Sequence, residues 1–248
     1  MTEGNSFLEF NIEKKRVGEF IMWLDKDDPG ISKTLMSSKR FKKWHREPEF
    51  MDIIETEVEA GDTCFDIGAN IGYTALHMAK FCGPSGTVFA VEPSPKNVHI
   101  LRKNIELNGL DNRVKVYPIA ISSGVGKRKL FIADETNLNS FKETIHSRAS
   151  IEVLTSSIDD FFEENNNFPN FIKMDIEGAE VDALAGLSRL LDKSSDKLKI
   201  LMEIHPMYYD GKAFSEQLVR LGSLGFKVKK LVSAGIAVPK PFQMKGYR

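Results

Sequence analysis

Acidic residues recur in this chain where apolar runs end. Thr63-Cys64-Phe65 leads to Asp66 and then Ile67-Gly68-Ala69-Asn70-Ile71-Gly72. Thr87 to Val91 ends at Glu92, and Phe171-Ile172-Lys173-Met174 ends at Asp175 with Glu177 two residues on. Leu198 to Met202 ends at Glu203, with His205 beyond it. Carboxylates and an imidazole gathered at strand ends can bind sugar-like hydroxyls, attract a cation or remove a proton. In an open α/β sheet all such ends lie on one rim, where ligands bind.

The first stretch reads as a strand, a tight turn and a helix from about Tyr73 to Lys80. Gly68 and Gly72 permit a sharp turn and close approach to a ligand, and Asn70 is the non-glycine residue that best tolerates a left-handed backbone. Free N–H groups at the start of the next helix complete a small-molecule cradle. Asp66, two residues before the first glycine, argues against a pyrophosphate ligand and for a cationic one. Glu92 ends the second strand, where an acid takes ribose hydroxyls. Ser94 and Pro95 then open a helix as its cap and first turn.

These blocks have neighbours that must position them. Strand and helix alternate from Thr63 through the helix Lys96 to Asn108 to a strand over Arg113 to Ile121, which implies a parallel sheet with right-handed crossovers. Further strands are expected at Val17 to Leu24, Lys127 to Ile132, Ile151 to Leu154, Phe171 to Asp175 and Leu198 to Glu203. Helices are expected at Glu49 to Glu57, Ala179 to Leu191 and Phe214 to Leu221. Phe226 to Leu231 with Gly235 to Val238 reads as a terminal hairpin. Asp134 to Ser150, which holds Asn137, Asn139 and Ser140, is a long polar insertion of the kind that serves a substrate.

Three blocks together, Phe65-Asp66-Ile67-Gly68-Ala69-Asn70-Ile71-Gly72, Val91-Glu92-Pro93-Ser94 and Lys173-Met174-Asp175-Ile176-Glu177-Gly178-Ala179-Glu180, closely resemble the FkbM family of S-adenosylmethionine-dependent methyltransferases, over roughly Glu55 to His205. The resemblance implies an α/β fold of the class I methyltransferase (Rossmann-like) type, a doubly wound, mostly parallel sheet with a terminal antiparallel hairpin. It divides the chain into an amino-terminal part, residues 1–57, and a cofactor domain, residues 58–248. It implies S-adenosylmethionine as cofactor, with Asp66, Gly68, Asn70 and Gly72 at the methionine end, Glu92 at the ribose, and Ile119 and Ala120 beside the adenine. The basic run Ser38 to Arg46, which interleaves Phe41 and Trp44, would then serve as a lid.

The expected activity is methyl transfer to a hydroxyl of a small molecule, sugar or glycan. Such a transfer needs alignment and a base. Asp175, Glu177 and His205 are the candidate bases, with Glu203 catalytic beside them or orienting His205. The same groups could instead hold a divalent metal that acidifies the hydroxyl; the reading adopted names no metal ligand. No Asn-Pro-Pro-Tyr or Asp-Pro-Pro-Tyr segment follows Asp175, which favours oxygen over nitrogen as acceptor. Three rivals stand beside this reading: an RNA methyltransferase using Lys39 to Arg46, a nicotinamide-dependent oxidoreductase, and a non-catalytic protein that keeps the cofactor fold.

Composition sets the outer bounds. The chain has 248 residues and a net charge of −1, so no global attraction to nucleic acid or membrane is expected. No stretch approaches the ~18 apolar residues of a membrane span, and the amino terminus lacks the apolar run of a signal peptide. A cytoplasmic location is expected. Cys64 and Cys82 have no metal or redox spacing and read as reduced. Oligomeric state is not encoded in any pattern here.

Overall fold

The structure is a computed structural model that describes residues 10–37, 46–165, 167–193, 198–208 and 210–231. Strands β1 (Ile12–Val17) and β2 (Phe20–Asp25) form an antiparallel hairpin turned on Gly18, whose φ is 62°. Helices α1 (Ile31–Met36) and α2 (Pro48–Glu57) follow. Then come β3 (Thr63–Ile67), α3 (Tyr73–Phe81), β4 (Thr87–Val91), α4 (Pro95–Leu107) and β5 (Val114–Tyr117). A three-stranded side sheet is built from β6 (Ala120–Ile121), β7 (Gly126–Ala133) and β8 (Ser147–Ser156). The chain returns through α5 (Ile158–Asn165), β9 (Phe171–Met174), α6 (Glu180–Ala185), α7 (Arg189–Lys193), β10 (Lys199–Met202) and α8 (Gly211–Ser223).

The central sheet has the order β10-β9-β3-β4-β5, and every pairing in it is parallel. The chain winds outward from β3 in one direction and then, from β9, in the other. That reversal opens a crevice at the carboxyl ends of β3 and β9, where an α/β sheet binds its ligands. Both faces of the sheet are covered, so its strands are nearly continuous apolar runs. Cys64, Val88, Ala90 and Phe171 face α2, α3 and the β1–β2 hairpin, whereas Phe65, Ile67, Phe89, Ile172 and Met174 face α5, α6 and α8. Phe65 stacks on Phe161 at 4.8 Å and meets Phe162 edge-on at 4.8 Å. Both cysteines are buried free thiols.

The amino-terminal hairpin is docked by two amides of α4 four residues apart, on one helical face. The Trp23 N–H donates to Asn104 Oδ1 at 2.6 Å, and Asn104 Nδ2 donates back to the Trp23 carbonyl at 3.2 Å. Asn108 pairs in the same way with Ile21, at 3.1 and 2.8 Å. The two side chains act as a partner for the open edge of β2. Asn104 Nδ2 also donates to Ile71 O at 2.8 Å, which ties the hairpin to the glycine turn.

Several expected elements differ in extent. Val17 to Leu24 holds the end of one strand and most of another, because Gly18 reverses the chain between them. The strand expected over Arg113 to Ile121 breaks after Tyr117, and Ala120–Ile121 pairs with β8 instead. The helix expected over Ala179 to Leu191 is two helices. At Gly186 the backbone passes so close to its neighbours that an added Cβ would lie 2.6 Å from the Ser122 carbonyl oxygen. The Asp159 carboxylate starts α7 anew by accepting from the N–H groups of Ser188, Arg189 and Leu190. Of the terminal hairpin, Phe226 to Leu231 form no strand and Gly235 to Val238 lie outside the described residues, as does Ser38 to His45 of the basic run. Antiparallel hairpins are instead present at β1–β2 and β7–β8. Among the described residues no helix is long and apolar enough to cross a membrane.

Asn104 is fully buried, and its truncation strands a buried donor and acceptor, so Asn104→Ala is expected to lower the unfolding free energy by about 2–3 kcal/mol. Urea unfolding is the check: a midpoint equal to wild type would mean that the hairpin holds itself in place.

Candidate functional site

The cradle sits where β3 ends. Gly68 has φ 80°, and an added Cβ there would fall 2.0 Å from the Asp175 carbonyl oxygen, so no side chain fits. Asn70 takes the left-handed conformation at φ 49°. Gly72, at φ 96°, caps α3 and packs against Leu101. The N–H groups of Gly68 and Ala69 both donate to the Val91 carbonyl at 3.0 Å, stitching the turn to β4.

Glu92 crosses from β4 to the same turn. Its Oε2 accepts from the Asn70 N–H at 3.0 Å, while Oε1 accepts from the Ser94 N–H at 2.9 Å and Asn97 Nδ2 at 3.3 Å. Burial pushes its carboxyl up to about 7, against the pull of those donors and of Lys173. Glu92 lines the cavity above the turn, as do Gly68 and Asn70. Ala120 and Ile121 also line it, whereas Ile119 and Gly72 do not.

Asp66 lies one layer deeper, fully buried and outside the cavity wall. It accepts from Thr74 Oγ1 at 2.7 Å and pairs with Lys173 Nζ at 3.2 Å. Lys173 Nζ also donates to Gly68 O at 3.0 Å and lies 3.9 Å from Asp175 Oδ2. Burial alone would lower the lysine, but the charges of Asp66 and Asp175 and the bond to Asp66 more than reverse that, so it stays protonated. The expectation that the charge of Asp66 faces a ligand is therefore corrected: Lys173 balances it. Sequence reasoning missed Lys173, although a lone lysine inside the apolar run Phe171 to Met174 was a signal, because a buried ammonium requires an anionic partner.

A second cluster lies across Lys173, at the ends of β9 and β10. The Asp175 N–H is held by Ile67 O at 3.1 Å and the Glu203 N–H by Met174 O at 2.9 Å. Glu177 has a left-handed backbone at φ 47°, and its carbonyl accepts from Ser140 Oγ at 2.7 Å. His205 Nδ1 bonds Glu180 Oε1 at 2.7 Å, which turns Nε2 towards Glu177 at 3.5 Å, Asp175 at 3.8 Å and Glu203 at 3.9 Å. Glu180 is fully buried and was not singled out from sequence.

Crowded acids dominate the electrostatics here. Burial, then the neighbouring charges of Asp175, Glu203 and Glu180, push Glu177 up to about 8 against the opposing pull of His205. Burial followed by Asp175 and Glu47 lifts Glu203 to about 7. Burial would depress His205, but the Glu180 bond and the Glu177 and Asp175 charges raise it to about 9. The cluster thus carries a cationic imidazole beside two carboxyls, Glu177 and Glu203, that are raised towards neutral pH. Asp175, Glu203 and His205 also present ligand atoms within 4.8 Å of one another, a spacing that a divalent cation could bridge.

Of the four expected catalytic residues, Asp175 and Glu177 line the cavity, while Glu203 and His205 stand behind them. The cavity is open to solvent. Its outer wall comes from Arg46 and Glu47, which form an ion pair, and from the loop between β7 and β8. Glu47, Asn70 and Glu177 are the non-glycine residues with positive φ among those described, and all three line this cavity.

Comparison with known proteins gives the family. The family model described as Methyltransferase FkbM domain matches residues 66–228. Hexuronic acid methyltransferase AglP of Haloferax volcanii is 26% identical over 169 residues, 67% of this chain and 65% of that protein. Methyltransferase 1 of Beauveria bassiana is 28% identical over 49% of this chain and 57% of its own length. The 31-O-demethyl-FK506 methyltransferase FkbM of Streptomyces tacrolimicus is 34% identical over 38% of this chain and 36% of its own. The chain thus spans at most 65% of the length of these three relatives. Among solved structures, Aeropyrum pernix fibrillarin with natively bound S-adenosyl-L-methionine aligns over 71% of this chain and 62% of its own, at 15% identity and a TM-score of 0.45. The family model runs from Asp66 beneath the cradle to beyond the last helix, and the chain belongs to the FkbM methyltransferase family.

Proposed function

We propose that this protein transfers a methyl group from S-adenosylmethionine to a hydroxyl of a small molecule, sugar or glycan. One observation carries the reading: a single cavity is lined by the glycine cradle and Glu92 together with Asp175 and Glu177. The name of the Haloferax relative, a hexuronic acid methyltransferase, supports a sugar-like acceptor.

The residues present fit the cofactor. The turn at Gly68 leaves no room for a Cβ, and Asn70 Oδ1 is buried at the cavity without a hydrogen-bond partner. Glu92 would take the ribose hydroxyls, and Gly68 and Asn70 the methionine end, over the support of Asp66 and Gly72. Ala120 and Ile121 offer an apolar wall for the adenine. S-adenosylmethionine supplies a methyl group made electrophilic by a sulfonium.

The chain's own task is to align the acceptor and remove its proton. Glu177 faces the cavity with its carboxyl raised, which makes it a stronger base than an ordinary carboxylate, and we assign it the proton. Asp175 stands beside it at the strand end and orients the acceptor. His205, fixed by Glu180 and flanked by Glu203, places a positive charge behind Glu177 and holds the acids together. A base of this kind contributes roughly 100- to 10,000-fold.

Titration calorimetry with S-adenosylmethionine and S-adenosylhomocysteine tests the cofactor site: Glu92→Ala is expected to weaken binding about 10- to 100-fold, a loss of two hydroxyl contacts to a charged group. A wild-type protein that binds neither compound would sink the proposal. Glu177→Gln is expected to lower kcat about 100- to 10,000-fold with cofactor affinity unchanged. Because Glu177 accepts a proton only when ionised and sits near 8, the wild-type rate should climb with pH up to about 8 and then level off. A rate flat from pH 6 to 9 would remove Glu177 from the role of base.

A further inference from the structure

The acids at the ends of β9 and β10 meet His205 in an arrangement that hydrogen bonding does not explain. The two strands run parallel with Met174 opposite Met202, so Asp175 and Glu203 leave them at the same level, and the Glu203 N–H donates to the Met174 carbonyl at 2.9 Å. His205, two residues on, has its ring fixed by the bond that Nδ1 donates to Glu180 Oε1 at 2.7 Å. Its Nε2 then faces Asp175 Oδ1 at 3.8 Å and Glu203 Oε1 at 3.9 Å, with Glu177 Oε2 at 3.5 Å. All three separations exceed the roughly 2.7–3.2 Å of an N–H···O bond. They match neighbouring ligands of one metal ion instead, since bonds of about 2.0–2.2 Å set the atoms of a shared shell about 3–4 Å apart.

The balance of charge points the same way. Asp175, Glu177, Glu180 and Glu203 surround a single imidazole, and the nearby cations are engaged elsewhere: Arg46 pairs with Glu47, and Lys173 pairs with Asp66 and reaches Asp175 only at 3.9 Å. Glu180 adds an observation independent of the spacing. It is wholly buried, its Oε1 accepts from the Gly178 N–H at 3.1 Å as well as from His205, and its Oε2 has no hydrogen-bond partner. A buried carboxylate left half satisfied is costly unless positive charge lies close, and the bond to His205 aims this one at the cluster. Metal-ligating histidines almost always give their other ring N–H to a carboxylate in this way, which turns the free nitrogen onto the ion. The point of convergence is open to entry, since the side chains of Asp175, Glu203 and His205 are 21%, 25% and 15% exposed.

We infer that Asp175, Glu203 and His205 are the ligands of a divalent cation of the magnesium or manganese class. Two carboxylate oxygens and one imidazole nitrogen, all within 4.8 Å of one another, suit such an ion. Calcium, which takes about six to eight oxygens, is undersupplied here. Glu177 lies outside the set of three and remains the proposed base. The ion takes the place of the imidazole proton as the positive charge behind Glu177, and it locks Asp175 and Glu203 in position. The site stands on the geometry; its part in catalysis rests on the methyl-transfer reading.

Manganese is the probe. The full chain, stripped with EDTA, is titrated with Mn2+ and the free ion is read from its EPR signal. Thermal melts and titration with S-adenosylhomocysteine show in parallel which variants are folded and take the cofactor. Wild type is expected to take up a single ion, to show nitrogen modulation from His205 in the pulsed spectrum, and to release the ion to excess magnesium. Asp175→Asn, Glu203→Gln and His205→Ala are each expected to weaken Mn2+ binding by at least about tenfold, and Glu180→Gln, which alters no ligand, by about 10- to 100-fold. Glu177→Gln is expected to leave Mn2+ affinity unchanged while it lowers turnover. Uptake unaltered in all three ligand variants, bound Mn2+ without nitrogen modulation, or no uptake at millimolar ion would overturn the inference. Cofactor binding without ion uptake would leave methyl transfer standing, whereas ion uptake without cofactor binding would keep the ion site and remove the reading on which its role depends.

Discussion

The site depends on one buried ion pair. Lys173 stands in the middle of an apolar strand with 3% of its side chain exposed, against an Asp66 with none. Taking both charges out of water is costly, and such a pair persists only where further hydrogen bonds complete it. Here Thr74 completes the carboxylate and the Gly68 carbonyl completes the ammonium. Both of those partners belong to the cradle. The pair thus fixes the turn at Gly68 and the first turn of α3 to the strand that delivers Asp175, and the two halves of the site are held in one frame.

That frame separates two kinds of acid. On the β4 side Glu92 is buried but hydrogen-bonded on both oxygens, and it stands alone. On the β9 and β10 side four carboxyls crowd one imidazole, and burial with that crowding raises Glu177 to about 8 and Glu203 to about 7. In the proposed reading the first arrangement binds hydroxyls and the second takes up a proton. Lys173 lies between them, so neither cluster meets the other's charge unscreened.

Much of this was legible because it is local. Apolar runs ending in Asp66, Glu92, Asp175 and Glu203 marked strand ends, and the sheet order brings them to one rim. Asn70 between two glycines marked a left-handed turn. What stayed hidden depends on contacts between distant segments. Lys173 finds its partner on a neighbouring strand, and Asn104 and Asn108 look like ordinary helix residues until β2 lies beside them. Gly186 interrupts an apolar helical pattern only because Ser122 and Ser157 approach it. The insertion after Asp134 reads as loop, yet β8 begins at Ser147 and pairs along most of β7. Glu180 is inconspicuous among acids until His205 folds against it.

The left-handed conformations of Glu47, Asn70 and Glu177 have a consequence for anyone who reshapes this protein. A side chain held at positive φ costs of order 1–3 kcal/mol, which glycine would largely relieve. Among the described residues all three such positions face the cavity. A campaign that ranked substitutions by thermostability alone would therefore choose these sites early, and each gain would remove a group from the cavity wall. Selection for robustness and selection for turnover pull against each other at these same three residues, so a hardier scaffold has to be sought elsewhere in the chain.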